Sequence, residues 1–170
     1  MAFVVEDGTG LENANSLCEV AFANSYFADR GVTQWTGADS LKQTSLVQAT
    51  DYLETRFSHL FIGDKKSTVQ ALSFPRLNTG LAEIPVSVKR AVCEYALRVL
   101  TGTKLLPDPE IHASGQGLER TRRKVGPIEN ETRFQYQGPG TVRIILRPYP
   151  AADILLKDVV RSHGGRVIRG

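Results

Sequence analysis

Apolar positions recur at helical spacing in three parts of the chain, and we predict a helix in each. The first covers residues 19–30 and ends at Gly31, where a left-handed C-terminal cap is expected. The second begins at Asp39, an expected N-cap. The third begins at Pro85 and ends at Gly102. Because the apolar surface of this third helix is wide, we expect it to be central and packed by several neighbours.

The segments outside these helices lack the helical period. The first fifteen residues have turn chemistry and predict an extended arm, and residues 59–84 predict a long irregular connection. Pro148 and Pro150 introduce a fourth and last helix. One face of this helix is expected to dock on the core, through Ala151, Ile154, Leu155 and Val159. The other face is expected to lie in solvent, with Asp153, Lys157 and Arg161.

Strand signals replace helical ones where the composition changes to glycine, proline and charge, between residues 108 and 140. Two short runs, residues 118–125 and 128–136, are separated by a Gly-Pro pair, as in a hairpin or a pair of extended arms. A third run covers residues 141–146. The pattern predicts a mainly α fold: a small bundle of about four helices with a β-hairpin or extended-arm insertion and a flexible C-terminal tail.

The length of 170 residues suits one compact domain and argues against two. We expect that domain to cover residues 1–160, with a helical core at about residues 19–107 and 148–160 and a strand-rich arm at about residues 116–146. Residues 161–170, RSHGGRVIRG, are basic and rich in glycine, so we expect this tail to order only on meeting a partner.

Composition is that of an ordinary globular protein. Apolar residues make up 41% and charged residues 23% of the chain, which argues against a disordered or fibrous protein. No apolar run reaches the roughly 18 residues of a bilayer span, and the first residues lack the basic and apolar regions of a signal peptide. We therefore expect no membrane contact, synthesis in the cytosol, and buried free thiols at Cys18 and Cys93.

The net charge of +3 conceals two halves of opposite sign. Residues 1–85 hold 6 Lys and Arg against 10 Asp and Glu, a net charge of −4. Residues 86–170 hold 15 against 8, a net charge of +7. This polarity suits head-to-tail contacts between subunits or one face turned to a polyanion. A chance distribution of solvated charges is the alternative.

The sequence contains no pattern typical of catalysis or metal binding. Its three histidines lack a Cys or His at ligand spacing, and no Ser or Cys lies in a nucleophile motif. Gly8 with Gly10 and Gly115 with Gly117 look like phosphate loops. Neither pair follows a strand and opens a helix, so we interpret both as turns. We expect no enzymatic activity, no metal and no cofactor.

The densest basic run lies in the first strand of the predicted hairpin and consists of Arg120, Arg122, Arg123 and Lys124. Alternation along a strand would put Arg120, Arg122 and Lys124 on one face, which would attract phosphate without regard to base sequence. Few aromatic residues lie near enough in the sequence to stack on bases. A solvated hairpin and a contact with acidic residues of a neighbouring subunit remain open as alternatives.

Five blocks follow one another along the chain: VVEDGTGLENANS, SLVQATDYLETRF, QALSFPR, IPVSVKRAVCEYALRVL and RRKVGPIENETRF. Their order resembles the head-to-tail adaptor, or connector, family of tailed bacteriophages, over residues 3–158. Phe74 stands where tryptophan is expected before Pro-Arg, and residues 161–170 match no block. One branch of that family carries the label of DnaT-like single-stranded-DNA-binding proteins.

The resemblance implies a structural virion protein at the head–tail junction, made in the host cytoplasm. It would form a homo-oligomeric ring, typically twelvefold, beneath the portal and around the DNA channel. One surface would bind the portal protein and the other a tail-completion or tail protein, and packaged DNA would be contacted non-specifically. No catalytic residues and no cofactors come with the family.

Two groups of residues are the candidate sites under this interpretation. The basic run would face the DNA channel or lie between subunits, through Arg120, Arg122, Arg123 and Lys124. The tail would insert between portal subunits, through Arg161, Arg166, Val167, Ile168 and Arg169. The alternative function is a single-stranded-DNA-binding replication accessory protein, which the pI near 9.0 and the branch label favour.

Overall fold

The three helices predicted from apolar spacing are present in the computed structural model, which describes residues 2–106, 118–124, 129–134 and 147–161. Helix α1 spans Val20–Ala28, α2 spans Asp39–Phe57 and α3 spans Val86–Leu100. Two short strands, β1 at Asp64–Lys65 and β2 at Arg76–Leu77, pair in antiparallel fashion within the long connection. Strands β3, Leu118–Lys124, and β4, Glu129–Phe134, form a second antiparallel pair. Helix α4 covers Pro150–Asp153 and continues as a 3-10 turn at Ile154–Leu156.

The contacts divide the chain into two units. The helical unit consists of Met1–Leu105 with Pro148–Gly170, and the arm unit is Leu106–Arg147. The mainly α fold with a hairpin insertion is therefore confirmed. The predicted third run at 141–146 and the predicted tail after residue 161 lie outside the described residues.

Helix α3 is the centre of the helical unit, as its wide apolar surface predicts. Its Val88, Val92 and Tyr95 are fully buried, and α1, α2 and α4 all contact it. Leu46 and Leu53 of α2, which contacts α3, are also fully buried. Burying each such side chain stabilises the fold by about 1.5–3 kcal/mol. The helix ends at Leu100 and is followed by Gly102, whose φ of 87° is readily adopted by glycine and is strained for other residues.

Two helix boundaries differ from the predictions. Asp39 is the first residue of α2 and makes no side-chain cap bond, because Ala38 holds the N-cap position. The carboxylate still lies in the first turn, where it favours the positive end of the helix dipole. The last helix is shorter than the apolar run suggested, because α4 tightens into the 3-10 turn after Asp153.

This tightening changes which residues of the last helix are buried. Ala152, Leu156 and Val159 are buried, whereas Ile154 is 65% exposed and Ala151 is exposed. The prediction that Ala151 and Ile154 dock on the core was wrong, and the prediction for Val159 is confirmed. A 3-10 turn has about 3.0 residues per turn, so the α-helical spacing used for the prediction no longer applied.

The N-terminal segment is folded back on itself, so the predicted extended arm was wrong. Val5 and Ser16 form a parallel bridge, and the Glu6 carboxylate is only 2% exposed. Oε1 of Glu6 accepts the backbone N–H groups of Gly8 and Gly10 at 3.0 and 2.9 Å, and Oε2 accepts that of Leu11 at 2.9 Å. The N-terminal segment is thus held by hydrogen bonds to a buried carboxylate, which the turn-forming residues of the sequence do not predict.

Besides the short β1–β2 pair, polar side chains hold the connection between α2 and α3. The guanidinium of Arg76 donates to the carbonyl oxygens of Ile62 at 2.7 Å and Ser73 at 3.2 Å. Glu54 of α2 accepts the backbone N–H of Ser73 at 2.8 Å. Burial raises the pKa of Glu54, and the Ser73 hydrogen bonds oppose that shift.

Candidate nucleic-acid interface

All four residues of the basic run lie in strand β3, as the alternation of the sequence predicts. Arg120, Arg122 and Lys124 occupy alternate positions of the strand, and Arg123 occupies a position of the opposite face. The structure therefore brings three of the four candidate positions to one face of the hairpin. Their predicted contact with DNA or with a neighbouring subunit stays a prediction.

The partner strand brings acidic residues to the same face. The register pairs Arg122 with Glu131 and Lys124 with Glu129, whereas Arg120 lies opposite Arg133. Residues directly opposite each other in an antiparallel pair share a face. The three residue pairs of this face therefore hold four basic and two acidic residues, a net charge of +2, and Glu119 at the register shift is not among them. Sequence reasoning missed the two glutamates, although their alternation in ENETRF was the available signal.

The arrangement suits a polyanion better at one end than at the other. Arg120 and Arg133 lie next to the register shift between Leu118 and Arg120, without an acidic residue opposite. Two like charges in register destabilise a strand pair unless an anion lies between or near them. A phosphate or a carboxylate of a partner would relieve this repulsion, so this end of the hairpin is the candidate anion site.

The other face of the hairpin is nearly neutral. Arg123 lies opposite Asn130, and Thr121 lies opposite Thr132. This leaves a single charged residue among the four paired positions. Threonine and asparagine at opposed positions suit either solvent or a hydrogen-bonded contact with another protein. The two faces of the arm unit therefore differ in the ligands that they suit.

The two points where the chain leaves and re-enters the helical unit are joined by Tyr149. Its hydroxyl donates to the carbonyl oxygen of Leu105 at 3.2 Å and lies 3.4 Å from that of Lys104. Its ring packs edge-on against Tyr52 and Tyr95, with centroid distances of 5.7 and 6.0 Å. Residues 105 and 149, which flank the arm unit, are thus held together inside the helical unit.

Asp153 fixes the segment that follows the arm. Arg56 of α2 donates to both of its carboxylate oxygens, at 3.3 and 3.1 Å. The Tyr95 hydroxyl of α3 donates to Oδ1 at 2.6 Å, and the Tyr149 N–H donates to Oδ2 at 3.0 Å. The prediction that Asp153 lies on the solvent side was wrong. An i, i+4 charge pattern cannot show that the carboxylate has partners on two other helices.

The tyrosine hydroxyls of this network stay protonated at neutral and moderately alkaline pH. Burial, and after it the hydrogen bond to Asp153, raise the pKa of Tyr95. Burial also raises the pKa of Tyr52, against the opposing effect of the Arg56 guanidinium. The Tyr95 hydroxyl therefore stays a donor to Asp153, and the Tyr52 hydroxyl accepts a hydrogen bond from Arg56 at 2.6 Å.

Only the first residue of the predicted tail site is described. Arg161 is exposed, and its backbone N–H donates to the carbonyl oxygen of Leu60 at 2.8 Å. The neighbouring Val160 bridges to Phe61. Arg161 is therefore anchored to the helical unit by its backbone while its side chain is available. The remaining tail candidates, Arg166, Val167, Ile168 and Arg169, lie outside the described residues.

Aromatic side chains of the described part of the helical unit are buried or half-buried, and none is exposed. Several are covered by cations: the Arg30 guanidinium lies 3.7 Å from the Tyr26 ring centroid, and the Lys42 ammonium lies 5.9 Å from that of Trp35. Stacking of nucleic-acid bases needs an open ring face. The described surface of the helical unit offers no such platform.

Within the ranges that the structure describes, no group of three or more His, Cys, Asp or Glu residues is gathered as a metal ion would require. No described helix combines the length and apolarity of a bilayer crossing. A shallow groove beside Phe57 and Leu156 has Lys157 and Arg161 on its rim.

One family model matches the chain, over residues 1–170, and its description reads "Putative DnaT-like ssDNA binding protein". No curated protein matches the chain. No solved structure matches it either.

Proposed function

The chain belongs to the DnaT-like family, and from the order of its sequence blocks we propose that it is a structural, non-enzymatic adaptor that joins the head and tail of a phage particle. Its subunits form a ring beneath the portal and around the DNA channel. The portal protein binds one surface of the ring, and a tail-completion or tail protein binds the other. In this function the protein contacts DNA through charge and not through base recognition.

The observation that carries this proposal is the location of the blocks that resemble the adaptor family. The segment Ala49–Leu53 contributes the buried Ala49, Tyr52 and Leu53 to the core. The segment Ile84–Leu100 contains the central helix α3. The resemblance thus concerns the residues that build the bundle, which supports a shared fold.

The charge distribution supports assembly through unlike surfaces. The opposite net charges of residues 1–85 and 86–170 suit a ring in which one face of each subunit meets a different face of the next. An isolated two-stranded hairpin is marginally stable in water and gains from added partners. The arm unit therefore suits contact with a neighbouring subunit.

The tail is proposed to bind the portal. Arg161 is anchored by its backbone, so truncation after Arg161 keeps the Leu60 hydrogen bond and removes only residues 162–170. We expect the truncated protein to keep its helical circular dichroism and to lose portal binding. Unchanged portal binding by the truncated protein would contradict the role of the tail and leave the adaptor function itself open to the imaging test below.

A second candidate function is a single-stranded-DNA-binding accessory protein of replication. The family description names single-stranded-DNA binding and does not name the adaptor function. The net charge of +2 on one face of the hairpin also permits phosphate contact. Against it stands the absence of an exposed aromatic ring among the described residues of the helical unit.

The deciding experiment is to mix the purified chain with the portal ring of the same phage and to image the mixture by electron microscopy. Stoichiometric added density beneath the portal is the expected result. In parallel, binding of a fluorescent oligonucleotide is measured at near-physiological salt. Failure to associate with the portal, together with tight and salt-resistant oligonucleotide binding, would overturn the adaptor proposal in favour of the second candidate.

A further inference from the structure

Two cysteines that are far apart in the sequence meet in the core of the helical unit. Cys18 precedes α1, Cys93 lies on α3, and their Sγ atoms are 3.5 Å apart. Both side chains are fully buried, and both are free thiols. We propose that Cys18 and Cys93 are a redox-reactive pair, which a low-molecular-weight disulfide of the glutathione type oxidises to an intrachain disulfide.

The geometry favours this bond because the backbone around Cys18 is fixed. The Cys18 N–H donates to the Ser16 hydroxyl at 3.2 Å, and that hydroxyl donates to the Cys18 carbonyl oxygen at 2.8 Å. The preceding Leu17 N–H donates to the Thr50 hydroxyl at 3.3 Å. A disulfide needs a sulfur separation of about 2.05 Å. The sulfurs must therefore approach by about 1.5 Å to form the bond.

The closed protein resists this reaction, so oxidation follows opening. The hydrogen bond with Cys18 and burial raise the pKa of the Cys93 thiol, so its nucleophilic thiolate is scarce while the core is closed. Cys18 lies at the end of the N-terminal segment, whereas Cys93 lies on the central helix. Opening of the N-terminal segment exposes Cys18 first, and global unfolding or folding exposes both.

The chemistry balances as two successive exchanges. The Cys18 thiolate attacks oxidised glutathione, forms a mixed disulfide and releases one glutathione thiolate. The Cys93 thiolate then attacks the Cys18 sulfur, forms the Cys18–Cys93 bond and releases the second glutathione. Two electrons pass from the cysteines to the oxidant, and the two thiol protons pass to the released glutathiones.

The consequence is a covalent link between the N-terminal segment and α3. The closed loop spans 75 residues, and cross-links of loops this long restrict the unfolded chain strongly. The oxidised chain should therefore unfold at a higher temperature than the reduced chain. In the reduced chain only hydrogen bonds and packing hold the N-terminal segment on the core, so the segment can detach.

The test measures the equilibrium of this bond in the full-length chain. The protein is unfolded and refolded in buffers of fixed reduced and oxidised glutathione ratio, quenched with acid and analysed by intact mass spectrometry. A loss of two hydrogen masses marks the disulfide. We expect the refolded chain to form the Cys18–Cys93 disulfide even where the ratio of reduced to oxidised glutathione is at least about 100-fold higher than the ratio at which the same chain forms it in urea. Equal ratios for the folded and urea-unfolded chains would overturn the proposal.

A matched control moves one thiol and keeps the number of cysteines. The double variant Cys93→Ser with Ser87→Cys shifts the sulfur by six residues along α3, about 9 Å of helix rise. The disulfide of this variant should form only at the glutathione ratio at which the urea-unfolded wild-type chain forms its own. If the folded variant formed its disulfide at the same glutathione ratio as the folded wild-type chain, the proposal would also be overturned. The comparison of native and urea-unfolded wild type decides the matter even where a variant does not fold.

Discussion

At the scale of single residues, Asp153 is the centre of a polar network in the helical unit. It joins α2, α3 and the segment after the arm, through Arg56, Tyr95 and the Tyr149 backbone. The Arg56 and Asp153 side chains are only 15% and 23% exposed. Removing one partner of such a pair leaves the other charge without compensation, which costs more than the pair itself contributes.

We expect Asp153→Ala to lower the free energy of unfolding by about 3 kcal/mol. Urea denaturation followed by circular dichroism measures the change. Asp158→Ala is the matched control, because Asp158 is an exposed carboxylate of the same segment, and it should change stability by less than about 0.5 kcal/mol. Equal effects of the two substitutions would show that the network does not stabilise the fold.

Tyr26 makes stability depend on alkaline pH. Burial, and after it the hydrogen bond to Glu94, raise its pKa from 10.0 to about 12. A raised folded-state pKa means that the stabilisation is complete below pH 10 and is lost as pH rises from 10 to 12. We expect the free energy of unfolding to fall less steeply over this window in Tyr26→Phe than in wild type. Parallel curves for the two proteins would contradict this assignment.

How much the sequence predicts differs from residue to residue. The left-handed conformation of Gly31 was predicted correctly, since it depends on local sequence, and Gly102, predicted as the end of the third helix, also has a positive φ. The partners of Asp153 and the buried position of Glu6 were missed. Both depend on groups far away in the chain or on the path of a loop, and no local spacing records them.

At the scale of elements, α1 to α3 were predictable because each has a sustained apolar stripe, whereas α4 was predictable in its existence and start but not in its length. Its apolar run continues beyond Asp153, but the backbone tightens to a 3-10 turn there and rotates Ile154 into solvent. The hairpin was predictable as two strands. Its register, which brings Glu129 and Glu131 opposite basic residues, was not used in the prediction.

The register predicts how the hairpin binds a polyanion. Arg122→Gln should weaken oligonucleotide binding and lower the salt dependence by about 0.7 per lost phosphate contact, and Glu131→Gln should strengthen binding. Fluorescence anisotropy over a series of salt concentrations measures both effects. Arg122 and Glu131 are paired in register, so the double variant should bind like wild type. Wild-type binding by both single variants would exclude this face as the site.

The closure of the arm by Tyr149 predicts that the arm is a separable insertion. The Tyr149 hydroxyl donates a hydrogen bond to the Leu105 carbonyl oxygen. Replacing residues 107–146 by a short Gly-Ser linker should therefore leave the helical unit folded. We expect cooperative thermal unfolding and retained helical circular dichroism. Adding Tyr149→Phe to this variant should lower its melting temperature, since the carbonyl of Leu105 loses its donor. Loss of cooperative unfolding in the excised protein would contradict the separability of the arm.

At the scale of the whole molecule, the opposite charges of the two halves predict salt-sensitive self-association. Residues 1–85 and 86–170 carry net charges of −4 and +7, and contacts between them strengthen as screening weakens. Sedimentation velocity should show larger species at low ionic strength than at about 0.5 M salt, where the Debye length is only a few Å. An unchanged sedimentation coefficient would argue against assembly through these charges.

The hydrogen bonds around the Glu6 carboxylate affect how the N-terminal segment can bind anions. The loop with Gly8 and Gly10 presents backbone amides as a phosphate receptor would, but its three donors are already satisfied by a carboxylate from the same chain. Because the Glu6 carboxylate and the backbone amides that donate to it belong to the same chain, this site is filled at any protein or phosphate concentration. Free phosphate and nucleotides must compete with an internal ligand that never diffuses away. The N-terminal segment should accordingly keep its shape in phosphate-free and phosphate-rich media alike.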